Sequence, residues 1–196
     1  MAILMILEWQ GVTTDDYARV HDTIGIRSDS DAPPGLIEHI CALTDDDELV
    51  IVDLWESEQA LGTFIETRLG PAIQQLELPE AAPRIARVHN HQPGTASEGN
   101  VLILIEADAT TDDYDAMRAT MPSHAEDGPG HPGHVHIAAT DGDSVIVADL
   151  WPSPEAFGQF AQEEVGPAAQ KVGLTQMEQR TLRVHSRIRG GSAVSG

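Results

Sequence analysis

The sequence predicts an α+β fold in which one unit, ordered β-α-β-β-α-β, occurs twice. Short motifs return at a fixed distance: Thr13-Thr14-Asp15-Asp16-Tyr17 as Thr110-Thr111-Asp112-Asp113-Tyr114, Asp53-Leu54-Trp55 as Asp149-Leu150-Trp151, Gly70-Pro71-Ala72 as Gly166-Pro167-Ala168, and Arg87-Val88-His89 as Arg183-Val184-His185. The offset is 97 for the first pair and 96 for the other three, so one residue is missing from the second copy, most simply in the turn 43–48, which becomes 140–144. A period of that length is too long for a solenoid repeat and matches a small domain. Within each copy, strand-like and helix-like apolar patterns follow in the same order.

The first run, 3–8 or 101–105, is apolar and of strand length. It leads to Thr13 and Thr110, each three residues before an aspartate, the pattern of a capping box with acids in the first helical turn. The helix ends before a loop, 27–34 with Ser, Asp and two prolines, or 122–132 rich in Gly, Pro and His. Two β-like runs joined by an acidic turn come next, Leu36–Leu43 with 49–54 and 134–139 with 145–150; Gly142 is a turn residue by type. Ser57 and Ser153 are N-caps, with Pro154 at the first helical position. The second helix carries Ala60, Leu61, Phe64, Ile65 and Leu69, or Ala156, Phe157, Phe160, Ala161 and Val165, at i, i+3, i+4 spacing, and the Gly-Pro that follows should break or kink it. Closing strands are expected at 84–91 and 181–187. The repeats are thus 1–91 and 100–189, with a mobile Pro/Gly/Ser-bearing linker at 92–99 and a small polar, flexible tail at 190–196.

This order is the split βαβ, or ferredoxin-like, unit, an antiparallel sheet with both helices on one face. The other face needs a partner, and a duplicated chain supplies one in cis, so the two sheets are expected to pack as an intramolecular α+β barrel; a homodimer is possible and not required.

Composition narrows the function. With 11 Lys+Arg against 32 Asp+Glu the net charge is −21, which repels nucleic acid and anionic lipid. Lys171 is the only lysine; the acidic, arginine-biased surface fits a high-GC genome or salt adaptation. The single Cys41, in an apolar run, excludes an intrachain disulfide and reads as a buried thiol. The first residues lack a basic n-region and a cleavage site and are too short to span a bilayer, so a cytoplasmic protein is expected. Neither a phosphate-binding glycine loop nor a Gly-x-Ser-x-Gly elbow is present.

Asp53-Leu54-Trp55-Glu56-Ser57-Glu58-Gln59-Ala60 with Phe64, and Asp149-Leu150-Trp151-Pro152-Ser153-Pro154-Glu155-Ala156 with Phe160, resemble the dimeric α+β barrel superfamily, in particular its antibiotic-biosynthesis-monooxygenase-like branch. The resemblance covers nearly the whole chain. It implies the barrel above and an enzyme of a class that includes cofactor-free oxygenases, haem-degrading enzymes, cyclases and isomerases, besides members without activity.

Both copies retain Glu8/Glu106, Tyr17/Tyr114, His39/His136, Asp53/Asp149, Trp55/Trp151, Arg87/Arg183 and His89/His185. Shared fold alone would keep them. As a site, His136 or His39 is the expected general base, because imidazole titrates near working pH. Trp55 and Trp151 wall a largely apolar pocket, with Asp53 and Asp149 beside them as substrate-binding residues, and Arg87, Arg183, Tyr17 or Tyr114 stabilise the developing anion. The substrate is then a small hydrophobic molecule, aromatic or polyketide-like, handled without a cofactor. Alternatively, His89 and His91 on one strand and His134 and His136 on another each project from a single strand face. In the resembling fold these strands meet, forming a site for a divalent transition metal, with His124 and His131 in the adjacent loop. A non-catalytic ligand-binding or stress-related scaffold is the remaining alternative.

Overall fold

The computed structural model describes every residue except Glu126, Asp127, Asp143, Thr175 and 192–196. One residue of the expected turn at 141–143 and most of the expected tail therefore lie outside the described residues. The elements of the first repeat are β1 (Ile3–Trp9), α1 (Thr14–Ile24), β2 (Leu36–Leu43), β3 (Leu49–Trp55), α2 (Glu58–Phe64), α3 (Gly70–Gln75) and β4 (Arg84–Pro93). The second has β5 (Val101–Ala107), α4 (Thr111–Arg118), β6 (Val135–Thr140), β7 (Val145–Trp151), α5 (Pro154–Phe160), α6 (Gly166–Val172) and β8 (Met177–Arg189).

The helix starts follow the local chemistry. Thr13 Oγ1 accepts from the Asp16 amide while Thr13 N–H donates to Asp16 Oδ2, and Thr110 and Asp113 do the same. Both exchanges satisfy amides that a helix N-terminus leaves unpaired. Ser57 and Ser153 cap α2 and α5 through the amides of Ala60 and Ala156.

Of the two outcomes expected at the Gly-Pro pairs, a break or a kink, the break does not occur. A π turn, Ile65–Leu69 or Ala161–Val165, joins α2 to α3 and α5 to α6. Proline lacks an N–H and its ring clashes with the carbonyl one turn back. The wider turn absorbs both problems, with Gly70 N–H reaching the Ile65 carbonyl and Gly166 N–H reaching that of Ala161.

The strands run in the hydrogen-bonded order β1-β3-β2-β8-β5-β7-β6-β4 and close into an eight-stranded antiparallel barrel. Two compact units make it up, and their boundaries fall inside β4 and β8 rather than in the linker. Unit 1 is Met1–Arg87 with Val184–Gly196, and unit 2 is Val88–Arg183. Each of β4 and β8 thus begins in one unit and ends in the other: Arg84–Arg87 pairs with β1, and 177–183 pairs with β5.

Strand alternation sorts the side chains of each sheet. In unit 1, Ile3, Met5, Leu7 and Trp9 of β1 and Ile51 and Trp55 of β3 pack against Val20 and Ile24 of α1, Leu61 of α2 and Ala72 of α3. Leu4, Val52 and Leu54, on the opposite face, are fully buried. In unit 2, Ile103 and Trp151 meet Phe157, Phe160 and Ala168. In the linker, expected to be mobile, the amides of Gly94, Thr95 and Ala96 donate to the carbonyls of His134, His131 and Gly133. Among the described residues no helix is long and apolar enough to cross a membrane.

Candidate functional site

Each unit has a cavity between its sheet and its helices, and each cavity ends on the same three residues. In unit 1, Tyr17 comes from α1, His39 from β2 and Asp53 from β3, in register opposite His39. Asp53 Oδ1 lies 2.7 Å from His39 Nδ1, and the Tyr17 hydroxyl lies 2.7 Å from His39 Nε2. An ionised Asp53 can only accept, so His39 carries its proton on Nδ1 and its Nε2 accepts from Tyr17. The Tyr17 oxygen in turn receives the Ser186 hydroxyl at 2.7 Å, and Trp55 Nε1 donates to Asp53 Oδ2 at 3.2 Å. The result is a hydrogen-bonded chain, Ser186 to Tyr17 to His39 to Asp53, anchored by an indole. Burial, foremost, pushes the Tyr17 phenol well above its ordinary value and keeps it neutral; the thiol of Cys41 beside it is pushed up to about 12 by the same cause. His21, one helical turn after Tyr17, packs on its ring with centroids 4.3 Å apart. Burial, then the neighbouring His39, lowers His21 to about 4.

Unit 2 repeats the core of this arrangement. Tyr114 hydroxyl to His136 Nε2 is 2.6 Å, His136 Nδ1 to Asp149 Oδ1 is 2.7 Å, and Asn90 Nδ2 takes the place of Ser186 at 3.2 Å from the Tyr114 oxygen. Burial pushes Tyr114 up to about 12. What surrounds the relay differs. His131 and His124, from the loop after α4, enter this cavity, and burial lowers both to about 4. Arg118 lines the cavity from the helical position that corresponds to His21.

The cavities also differ in size, about 170 Å³ in unit 1 and 60 Å³ in unit 2. The larger is walled by apolar side chains, among them Met5, Leu7, Ile51, Trp55, Leu61 and Phe64, with Tyr17, His21, His39 and Asp53 as its polar end.

Against the residues expected from sequence, the structure brings together Tyr17, His39, Asp53 and Trp55 in one cavity and Tyr114, His136 and Asp149 in the other. Trp151 does not line the second cavity; His131 lies against it edge to face, with centroids 5.2 Å apart. Arg87 and Arg183 are exposed on β4 and β8 and line neither cavity, and the Asp53 and Asp149 carboxylates are turned to His39 and His136. Of the four histidines expected to share a metal, His89 is exposed and bonded to Asp115, His134 Nδ1 meets the Ala96 carbonyl, and His91, lowered by burial and then by His136, does not line the cavity. Among the described residues, the group whose ligand atoms lie within 4.8 Å of one another is His131, His136 and Asp149. The involvement of His21 was missed, although its i+4 spacing from Tyr17 puts both on one helix face. Ser186 and Asn90 carry no local signal, because β8 and β4 bring them in from distant sequence.

No protein-family model and no curated protein matches the sequence. Solved structures do. A putative monooxygenase from Lactobacillus acidophilus superposes with a TM-score of 0.67 at 12% identity, over 96% of this chain and 96% of that one. A putative monooxygenase from Fusobacterium nucleatum gives 0.69 at 10% identity, over 96% and 93%. A ferredoxin-fold protein from Listeria monocytogenes, related to antibiotic biosynthesis monooxygenases, gives 0.54 at 12% identity, over 95% of each chain. The chain shares their ferredoxin-like α+β barrel fold. At such identities the likeness is one of fold, and the chemistry of the barrel has to be argued from its own cavities.

Proposed function

We propose that unit 1 is the active site of an enzyme that removes a proton from a small aromatic substrate, without an organic cofactor. The observation that carries this reading is an apolar cavity of about 170 Å³ ending on a buried Tyr17–His39–Asp53 relay. An apolar cavity of about 150 Å³ holds benzene, so the space suits one aromatic ring. The apolar walls bind the ring, and the Tyr17 oxygen, at the polar end of the cavity, takes the proton of an acidic O–H or activated C–H. As the substrate's proton passes to that oxygen, Tyr17's own proton passes to His39 Nε2. The imidazolium that forms is stabilised by Asp53, which Trp55 holds in place. Tyr17 is neutral before and after the transfer, consistent with its raised pKa. The substrate is left as a carbanion or phenolate, which either rearranges or reacts with dioxygen. In the second case a CH2 group becomes C=O and the other oxygen atom leaves as water. The monooxygenase-like names of structural neighbours support that second route.

The test is a screen of monocyclic phenols and activated ketones against the untagged chain, followed by oxygen uptake and product analysis. His39→Gln is expected to lower turnover by at least about 100-fold while binding persists. A substrate turned over equally well by His39→Gln would refute the assignment.

A further inference from the structure

Unit 2 departs from unit 1 around one carboxylate. In unit 1 both Asp53 oxygens are engaged, one by His39 and one by Trp55. In unit 2, His136 engages Asp149 Oδ1, but the indole Nε1 of Trp151 has no hydrogen-bond partner among the described residues, and Asp149 Oδ2 instead lies 3.8 Å from His131 Nε2. His131 is itself anomalous. It is 2% exposed, and neither ring nitrogen has a partner among the described residues. In either tautomer of a neutral imidazole one nitrogen donates and the other accepts. Burying both unsatisfied is disfavoured unless something else occupies them. The backbone makes room for this ring: a Cβ on Gly133 would stand 2.5 Å from His131 Nε2, so only glycine fits there.

We propose that His131, His136 and Asp149 bind one divalent first-row transition metal ion in unit 2. Two imidazoles and a carboxylate suit Zn(II), Fe(II) or Co(II) and do not suit Ca(II) or Mg(II), which take oxygen ligands. The ligand atoms already lie within 4.8 Å of one another, near the separations of donors that share one ion at about 2.0–2.2 Å. His136 changes tautomer through the solvent, losing the proton on Nδ1 and taking one up on Nε2, and turns the freed Nδ1 lone pair to the ion. Its Nε2–H then donates to the Tyr114 oxygen, whose own O–H turns away from the ring, and this orients a ligand imidazole from behind. The cavity of about 60 Å³ is too small for an aromatic ring and leaves room for water-sized ligands. Arg118, whose guanidinium donates to Gln92 Oε1, brings a positive charge to the cavity wall that opposes the ion, and the Asp149 carboxylate supplies the negative charge of the ligand set. Unit 1 has no counterpart, since its loop 27–34 contains no histidine. The chain therefore holds one ion, in the unit that does not take the aromatic substrate, and this inference stands independently of the function proposed for unit 1.

The test is titration of the full untagged chain with Co(II), followed by its visible spectrum, and with Zn(II) by calorimetry. We expect one ion per chain, a dissociation constant raised at least about tenfold in both His131→Gln and Asp149→Asn, and no change in His89→Ala or His134→Ala. Association that is only weak and multi-site, as any surface of net charge −21 would show, or affinity unchanged in His131→Gln and Asp149→Asn, would overturn the proposal. Should those variants fail to fold, imidazole resonances of the wild-type chain decide it. Zn(II) must shift His131 and His136 together and leave His39 unmoved, and the reverse pattern refutes the site.

Discussion

The indole of Trp55 donates to Asp53 Oδ2 at 3.2 Å, whereas its counterpart Trp151, equally buried, donates to nothing among the described residues. The same motif thus has two environments in one chain. Trp55→Phe removes a hydrogen bond to a buried charge and is expected to destabilise by about 1.5–3 kcal/mol. Trp151→Phe loses contact area but no such bond and should be the milder change. Denaturant unfolding of both variants under one set of conditions makes the comparison, and equal losses would show that the bond to Asp53 contributes nothing.

Tyr17 joins His39 and Ser186 through one hydroxyl. Tyr17→Phe leaves a buried imidazole nitrogen and a serine hydroxyl without their partner, and should destabilise by about 1–3 kcal/mol. Ser186→Ala removes only the outer bond, with an effect of about 1 kcal/mol. Because the bond between them is shared, the double variant should fall short of the sum. Chemical denaturation of the four proteins of this cycle measures the coupling, and strict additivity would rule out the hydrogen-bonded chain.

Acid should weaken unit 1 through His21. Its pKa is held at about 4 in the fold by burial, with His39, Asp53 and Asp22 as the charged groups that act on it and the Ile26 carbonyl as its partner. In the unfolded chain it returns to about 6.5. Between those values the unfolded state binds the additional proton, so stability falls as pH drops from about 6.5 to about 4, and the contribution is flat outside that window. The slope from this one group is at most about 1.4 kcal/mol per pH unit. His21→Leu cannot titrate and should flatten the stability profile across the window. An unchanged profile would place the acid sensitivity elsewhere.

Gly35 stands just before β2 at φ +84°, and a Cβ there would come within 2.6 Å of that of Ala60. Gly35→Ala combines left-handed strain with a clash and is expected to cost about 2 kcal/mol or more. Gly62, inside α2 with no atom within 4 Å of where a Cβ would stand, offers the opposite case. Gly62→Ala should stabilise by up to about 1 kcal/mol. Thermal melts of the two variants should move in opposite directions.

Much of this protein can be read along the chain, because the signals are local. The Thr-x-x-Asp boxes give the starts of both first helices, and the serine caps give those of the second pair. The Gly-Pro pairs were legible as an obstacle to helix but not as a π turn, since proline chemistry says which bond is lost and not which alternative the packing will favour. Tyr17, His39 and Asp53 stand out by recurring as Tyr114, His136 and Asp149, yet their contact is a matter of β2–β3 register and of how α1 lies on the sheet. The histidines of β4 and β6 illustrate the limit. Alternation puts His134 and His136 on one face, but His134 turns to a backbone carbonyl beyond the strand's start, and the imidazole that joins His136 comes from the loop before it.

The duplication, the β-α-β-β-α-β order, the helix starts and the candidate residues were determined by the sequence itself, for they rest on repetition and on interactions between residues within about one helical turn. Tertiary structure alone decided that β4 and β8 run on from one unit into the other. It also decided that Ser186 and Asn90 complete the two relays, and that the cavity of unit 1 is the larger of the two while His131 enters that of unit 2. Those outcomes depend on volumes and orientations summed over side chains far apart in the chain, which no pattern in the sequence encodes locally.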